Sequence, residues 1–286
     1  TSWTPWTDGD ASNDNLGPHV PFEIVAPCLQ SLTLRDIYKD CPFNLSGCKS
    51  LKSLSLIDEY DSWGLASVDL EALTELTSLT ISGFNFLNSL KLNKNTLSSL
   101  YFSGNSFSSI DFSDYTALKS AEIYGSDITS IDVSGCSALT TLKCKNNPTL
   151  TNLNLSGCSA LKTLTCYSCS KLTNLDLSDC SALRTLTCYS CSKLTNLDLS
   201  YCPALSTLWG YSCSNLTNLN LRGCSELKKI RTYSTKLSLL NLSDCVALEN
   251  LECYSCELTE LDVTYCPLLT TLDCSPMSGD GLAKLY

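Results

Sequence analysis

The chain has 286 residues, 43% of them hydrophobic and only 17% charged, with 19 basic against 29 acidic residues for a net charge of −10. An average soluble domain carries about 25% charged residues, so a strongly charged disordered chain is excluded. Without clustered Lys and Arg, a nucleic-acid partner is also set aside. The apolar stretches are broken every two or three residues by Ser, Thr, Asn or Asp, so no membrane insertion is expected.

What stands out is repetition: 53 Leu, 43 Ser and 19 Cys. Residues 1–27 read as an irregular leader or cap. It begins at Thr1 without an initiator Met or apolar signal core, as in a processed secreted protein or a trimmed chain. Its Asp8-Gly-Asp10-Ala-Ser-Asn13-Asp14 has a faint calcium-loop look but lacks the Gly and terminal Glu of the EF-hand, so it reads as an acidic leader. Trp3 and Trp6 are expected to pack over the first coil.

From about Cys28 a repeat takes over. The segment from Lys171 to Ser192 recurs almost letter for letter from Lys193 to Ser214, a period of 22 residues. The first Leu-type position of each unit falls at Leu65, Leu87, Phe107, Ile128, Leu150, Leu172, Leu194, Leu216, Leu237 and Leu258. Leu29-x-x-Leu32-x-Leu34 and Leu51-x-x-Leu54-x-Leu56 match less regularly. The expected solenoid is residues 28–275, regular from about 65. Residues 276–286 lose the pattern and read as a C-terminal cap or tail, with Leu282 and Leu285 as its apolar positions.

Each unit is two similar halves. Leu172-x-x-Leu175-x-Leu177-x-x-Cys180 is followed eleven residues later by Leu183-x-x-Leu186-x-Cys188-x-x-Cys191. Both alternate with period two over about five residues and are then broken by turn residues, which predicts strands rather than helices. Leu175, Leu177, Leu186 and Cys188 should face in. Asn174, Asp176, Ser178, Thr185, Thr187 and Tyr189 should face out. The expected fold is a β-rich solenoid with two short parallel strands per 21–22-residue coil and little helix.

The Leu-x-x-Leu-x-Leu-x-x-Asn/Cys signature resembles the leucine-rich repeat. Its nested form resembles the IRREKO class of bacterial surface proteins, with Cys where that class usually has Asn. The resemblance implies a binding scaffold and names no ligand.

Cys166-x-x-Cys169, Cys188-x-x-Cys191 and Cys253-x-x-Cys256 have metal-like spacing. Other units fill the same columns with Cys144 and Asn147, Gly210 and Cys213, or Thr232 and Thr235. Asn95 and Asn105 likewise stand in turn columns held elsewhere by Cys. Such exchanges would destroy a metal site, so no metal and no cofactor is expected, and the columns read as compact residues at buried turns. A third ladder runs through Cys136, Cys158, Cys180, Cys202, Cys224, Cys245 and Cys266. Its parallel Cβ vectors at the coil spacing of about 4.8 Å suit free thiols better than disulfides, which prefer about 3.8 Å.

The outward columns carry the functional search. Tyr167, Tyr189, Tyr211, Tyr233 and Tyr254 share one place, with Trp209 and Arg231 in the next column. Five rings at coil spacing form an aromatic strip suited to a protein, peptide or glycan; the alternative is cross-strand packing alone. The Asn174, Asp176 and Ser178 face reads as solvated. Thr rows like those of ice-binding solenoids are broken by Trp209, Lys229 and Glu252. The only His, His19, lies in the leader, so no Ser-His or Cys-His pair can form and no enzyme is expected. The reading is a monomeric, secreted or cell-surface binding protein, with a structural spacer as the alternative.

Overall fold

The computed structural model describes residues 2–3, 22–37, 43–59, 65–125, 127–275 and 282–286. Trp6, the 8–14 segment, His19 and Cys41 lie outside them. The chain forms two compact units, Thr1–Ser108 with Tyr115–Asp127, and Ser109–Asp114 with Ile128–Tyr286.

In the first unit the strands Ser31–Arg35, Ser53–Ile57, Ser78–Ser82, Ser99–Ser103 and Ser120–Tyr124 pair in parallel and in register. Ser2–Trp3, within the expected leader, pairs with Thr33 and Leu34. Each five-residue strand alternates, with its second and fourth residues buried. Leu54, Leu56, Leu79, Ile81, Phe84 and Phe102 make the core, each at most 1% exposed.

In the second unit the strands Thr141–Lys143, Thr163–Thr165, Thr185–Thr187, Thr207–Trp209, Lys229–Arg231, Asn250–Glu252 and Thr271–Asp273 form one in-register parallel sheet. The inner coils bury their Leu positions, Leu172, Leu175, Leu177, Leu183 and Leu186 being at most 4% exposed, whereas Leu269 and Leu272 of the last coil are half-buried. Burying one such side chain contributes about 1.5–3 kcal/mol, which is why the period dominates the fold. No helix occurs among the described residues.

The two halves of a coil differ more than their sequences suggest. The second halves build the continuous sheet. The first halves give only short pieces: Ser109–Asp111, Ser130–Asp132 and Asn152–Asn154; then Asn196–Asp198 with Asn218–Asn220; then Glu260–Leu261 with Lys284–Leu285. The intervening Asn174–Asp176 stretch is not a strand. Within the pieces an amide bridges coils, Asn154 Nδ2 donating to Asp132 Oδ2 at 3.0 Å and Asn220 Nδ2 to Asp198 Oδ1 at 2.9 Å. Asp176 is followed in its column by Asp198, and two carboxylates offer no donor to each other.

The outward Asp and Asn of these halves close the coil rather than merely facing solvent. Asp176 Oδ1 accepts the Ser178 N–H at 3.0 Å, and Asp132, Asp198, Asn241 and Asp262 do the same two residues on. This is the Asx turn, in which a short side chain replaces a backbone acceptor. The bond from Ser178 also holds the Asp176 carboxyl below the usual carboxylate range. The corner is completed by Cys180 N–H donating to Leu177 O at 2.9 Å and Leu183 N–H to Cys180 O at 3.0 Å.

Candidate functional site

The five tyrosines stand just past the strands of the second unit's sheet, at the corner where the chain leaves it. The following serines, Ser168, Ser190, Ser212, Ser234 and Ser255, have φ of 55–58°, a left-handed conformation unusual for a residue with a Cβ. The turn is held across coils: Ser168 N–H donates to Tyr189 O at 3.0 Å, Ser190 to Tyr211 at 3.0 Å and Ser212 to Tyr233 at 2.9 Å. Fixing this backbone turn in successive coils aims the rings along one line.

Neighbouring rings stack face to face, with centroids 4.4, 4.5, 4.6 and 4.3 Å apart and interplanar angles of 6–12°. All five are half-exposed. Their faces are spent on one another, so the strip shows solvent its edges and hydroxyls. Burial, then the neighbouring Tyr167 and Tyr211, pushes the Tyr189 hydroxyl up to about 12. Tyr211 and Tyr254 are raised for the same first reason. These hydroxyls are therefore neutral hydrogen-bond donors at physiological pH.

The structure brings all the sequence-predicted residues together. Trp209 and Arg231 are register partners in the adjacent column. The Arg231 guanidinium lies 5.6 Å from the Trp209 ring centroid, and its Nε donates to Glu252 Oε1 at 3.0 Å. Thr187 occupies the outward column as expected but is buried, with the bulky Trp209 beside it in register. Sequence reasoning missed Lys145, whose ammonium sits 5.9 Å from the Tyr167 ring at the end of the stack. The available signal was its place 22 residues before Tyr167, in the tyrosine column itself.

The cysteine columns lie inside. The described cysteines are free thiols, and nearly all are buried. Their role is more specific than compactness. Sγ of Cys169 donates to Cys144 O at 3.1 Å, Cys191 to Cys166 O at 3.2 Å and Cys213 to Cys188 O at 3.2 Å. Asn147 Nδ2 reaches Cys144 O at 2.8 Å and Thr235 Oγ1 reaches Thr232 O at 2.9 Å. Cys, Asn and Thr exchange in this column because each supplies one short donor to a buried carbonyl. Asn105 does likewise, donating to Ile81 O at 3.2 Å, whereas Asn95 is exposed, contrary to the expectation of a buried turn. Thr232 Oγ1 is a buried hydroxyl with no partner.

Burial pushes Cys158, Cys180, Cys202 and Cys245 up to about 12. A hydrogen bond with Cys169, then burial, raises Cys144 well above the ordinary thiol range. Metal binding and redox chemistry need the thiolate, which these five thiols withhold; a hydrogen bond with Cys144 lowers Cys169 and one with Cys188 lowers Cys213. No group of three or more His, Cys, Asp or Glu among the described residues could hold a metal ion.

Where Asn174–Asp176 leaves the first-half sheet, a polar cleft of about 300 Å³ opens, lined by Asn152, Asn154, Ser156, Asn174, Asp176 and Asp179. Its carboxylates are engaged: Asp176 accepts from Ser178 in a turn, and Asp179 Oδ2 accepts the Gly157 N–H of the preceding coil at 2.8 Å.

No protein-family model matches the chain, and no curated protein sequence matches it. Solved structures do. The functional domain of InlJ from Listeria monocytogenes, which includes a cysteine ladder, aligns at 25% identity and a TM-score of 0.39 over 82% of this chain and 61% of that one. TLR13, in its complex with ssRNA13, aligns at 17% identity and a TM-score of 0.54 over 91% of this chain and 47% of that one. An internalin, InlF, from Listeria monocytogenes aligns at 13% identity and a TM-score of 0.48 over 88% of each chain. The chain thus spans about three fifths of the InlJ chain and about half of the TLR13 chain. The fold is a parallel β-solenoid of the leucine-rich-repeat kind.

Proposed function

We propose that the chain is a non-enzymatic recognition module of a secreted or cell-surface bacterial protein, monomeric, binding a protein, peptide or glycan on its tyrosine-lined sheet. Residues 28–275 are read as the repeat array, with 1–27 and 276–286 as its flanking caps. The observation that carries the proposal is five half-exposed rings stacked within 4.6 Å of one another, beside the Trp209–Arg231 pair. Rings held this rigidly lose little entropy when a partner docks, which is what aromatic hot spots exploit. TLR13 is a neighbour solved with single-stranded RNA; the net charge of −10 here speaks against carrying that partner over.

A second reading, that of a structural spacer, is favoured by one specific observation. The ring faces cover each other, as they would if stacking served stability alone. Replacing Tyr189, Tyr211 and Trp209 together with Ser separates the two. Recognition predicts that capture in a glycan and cell-surface binding screen is lost while far-UV circular dichroism stays that of the parent. Unchanged capture would leave the spacer reading.

A further inference from the structure

In the second unit the first-half sheet breaks twice, with the same chemistry each time. Gly135 N–H donates to Ser156 O of the next coil at 2.8 Å, a bond that ties successive corners together. Gly157 and Gly223, in the same column, donate instead to the carboxylates of Asp179 and Asp244, each at 2.8 Å. The first halves of the coils that supply these carboxylates are not strands, at Asn174–Asp176 and again at Leu239–Asn241. The two breaks differ in what they display. The first has Ser156 and Asn174; the second has Arg222 and Leu239 in their columns, and Leu239 is 65% exposed.

The polar cleft at the first break is lined by open backbone as well as by side chains. Asn152 N–H donates to Thr129 O and Asn154 O accepts from Val133 N–H, both at 3.1 Å, so these two residues turn their backbone groups to the preceding coil. Alternation along the strand turns the N–H and C=O of Leu153 the other way, into the cleft it lines. No backbone hydrogen bond among the described residues joins them to Asn174–Asp176. The leucine side chain is buried, so it is the backbone that meets the cleft. The Asn174 amide likewise makes no hydrogen bond among the described residues. Asp179 spends Oδ2 on Gly157, and a carboxylate accepts about four bonds in all. Hydrogen bonds from Ser178 hold Asp176 below the usual carboxylate range, which keeps it charged at neutral pH.

These groups select a ligand both by exclusion and by match. Asp176 and Asp179, with no cation among the lining residues, repel phosphates and carboxylates. No aromatic ring lines the cleft, and Leu153 and Leu155 turn their side chains inward, so an apolar ligand finds nothing to cover. Amide, carboxylate and open main-chain groups offer donors and acceptors in close succession. That matches a neutral molecule rich in hydroxyls, each of which donates one bond and accepts others; those donated to a carboxylate are the strong ones. A volume of about 300 Å³ stands at the lower end of ligand pockets and suits a sugar ring better than a peptide segment. We infer that this cleft binds a neutral sugar unit, its hydroxyls donating to Asp176 and Asp179 and accepting from the Asn174 amide and the Leu153 N–H. The site stands on the first halves of the coils, whereas the tyrosines follow the second halves, and it does not rest on the tyrosine reading.

The test titrates the isotope-labelled full chain with glucose, galactose, mannose, N-acetylglucosamine, maltotriose and phosphorylated glucose, following amide shifts by NMR. At least one neutral sugar is expected to move the Leu153 and Gly157 amides and the Asn174 side-chain amide, and phosphorylated glucose to bind more weakly than glucose. Maltotriose binding at least as tightly as glucose assigns the unit to a glycan chain, and weaker binding assigns it to a free sugar; either supports the inference. Ser156→Arg with Asn174→Leu gives the first break the side chains of the second, which the array already tolerates, and should weaken binding at least tenfold. Asn174→Ala, at an exposed position, should weaken it in the same direction, with far-UV circular dichroism unchanged in both variants. The inference is overturned if no neutral sugar moves these amides, if phosphorylated glucose binds more tightly than glucose, or if both variants bind like the parent. The Tyr189, Tyr211 and Trp209 substitutions should leave the shifts intact; their loss there would put the sugar on the tyrosine face and overturn the inference, while unchanged capture in the surface screen would sink only the tyrosine reading.

Discussion

The two units solve one packing problem in two ways. At the inward position that ends the strand alternation, the first unit places Leu56, Ile81, Phe102 and Ile123, and its strands run five residues. The second unit places Cys144, Cys166, Cys188, Gly210, Thr232 and Cys253 there, and its strands run three. Strand length tracks the size of the inward side chain. Where that side chain is small, the chain turns sooner, and the next residue becomes a corner instead of the last outward position of a strand. In the first unit that next residue is Ile57, Ser82, Ser103 or Tyr124, and Tyr124 meets Tyr101 edge-on at 5.5 Å and 80°. In the second it is the tyrosine column, stacked in parallel. The thiol columns and the candidate site are thus one feature of the second unit, seen from inside and from outside.

The largest expected break in this comparison is alkaline. Cys158, Cys180, Cys202, Cys245 and Cys253 are raised by burial to about 12 and Cys224 to about 11, from an ordinary value of 9.0 for a thiol. The folded state therefore holds these protons more tightly than the unfolded chain does. Their contribution is fully present below pH 9 and is lost as pH rises from 9 toward 12. Each thiol weakens folding by about 1.4 kcal/mol per pH unit in that window, so six together set an upper limit of about 8 kcal/mol at pH 10, comparable with a domain's whole stability. Urea denaturation under reducing conditions should show a loss of several kcal/mol between pH 7.5 and 10. A change under about 1 kcal/mol would mean that the ladders are not buried thiols.

Next in size is an exchange of inward side chains. Phe102 is 1% exposed, and Phe102→Cys should cost about 3 kcal/mol through lost transfer energy and the cavity left behind. Cys166, fully buried, should resist Cys166→Phe by about 1–3 kcal/mol, because the short-strand coil has no room for a ring. Chemical denaturation of both variants measures this directly. If both cost less than about 0.5 kcal/mol, side-chain size does not set strand length.

The period, the strand alternation and the burial of Leu and Cys were legible in the sequence because each obeys a spacing that repeats letter for letter. The tyrosine column was legible for the same reason. Less visible were features that depend on geometry between coils. Asp176 looked like a solvated residue, although the recurring Asp-Leu-Ser and Asn-Leu-Ser pattern is the signature of an Asx turn, with the serine N–H two residues on. The break in the first-half sheet at Asn174–Asp176 has no spacing signal, since its letters are the same as those of Asn196–Asp198, which is a strand. The stacking of the rings could not be read either. It depends on the corner holding Tyr189 4.4 and 4.5 Å from its two neighbours, and that closes the faces which a composition argument would have offered to a sugar.

The smallest expected effect concerns the left-handed column, which both units share but fill differently. Gly83 has φ of 84°, and a Cβ there would stand 1.9 Å from Asp58 O, so that coil needs glycine, although Asp36 holds the same column of the first unit at φ 53°. The second unit places Ser190 at φ 58° and secures it with a 3.0 Å bond from its N–H to Tyr211 O. A non-glycine residue in this region costs of order 1 kcal/mol, while glycine loses part of that advantage to its freer unfolded chain. Ser190→Gly keeps the N–H and removes the Cβ strain, so it should raise stability by about 0.5 kcal/mol in urea denaturation, with ring stacking unchanged by near-UV circular dichroism. A loss of stability instead would show that the serine side chain, and not only its backbone, secures the corner on which the tyrosines stand.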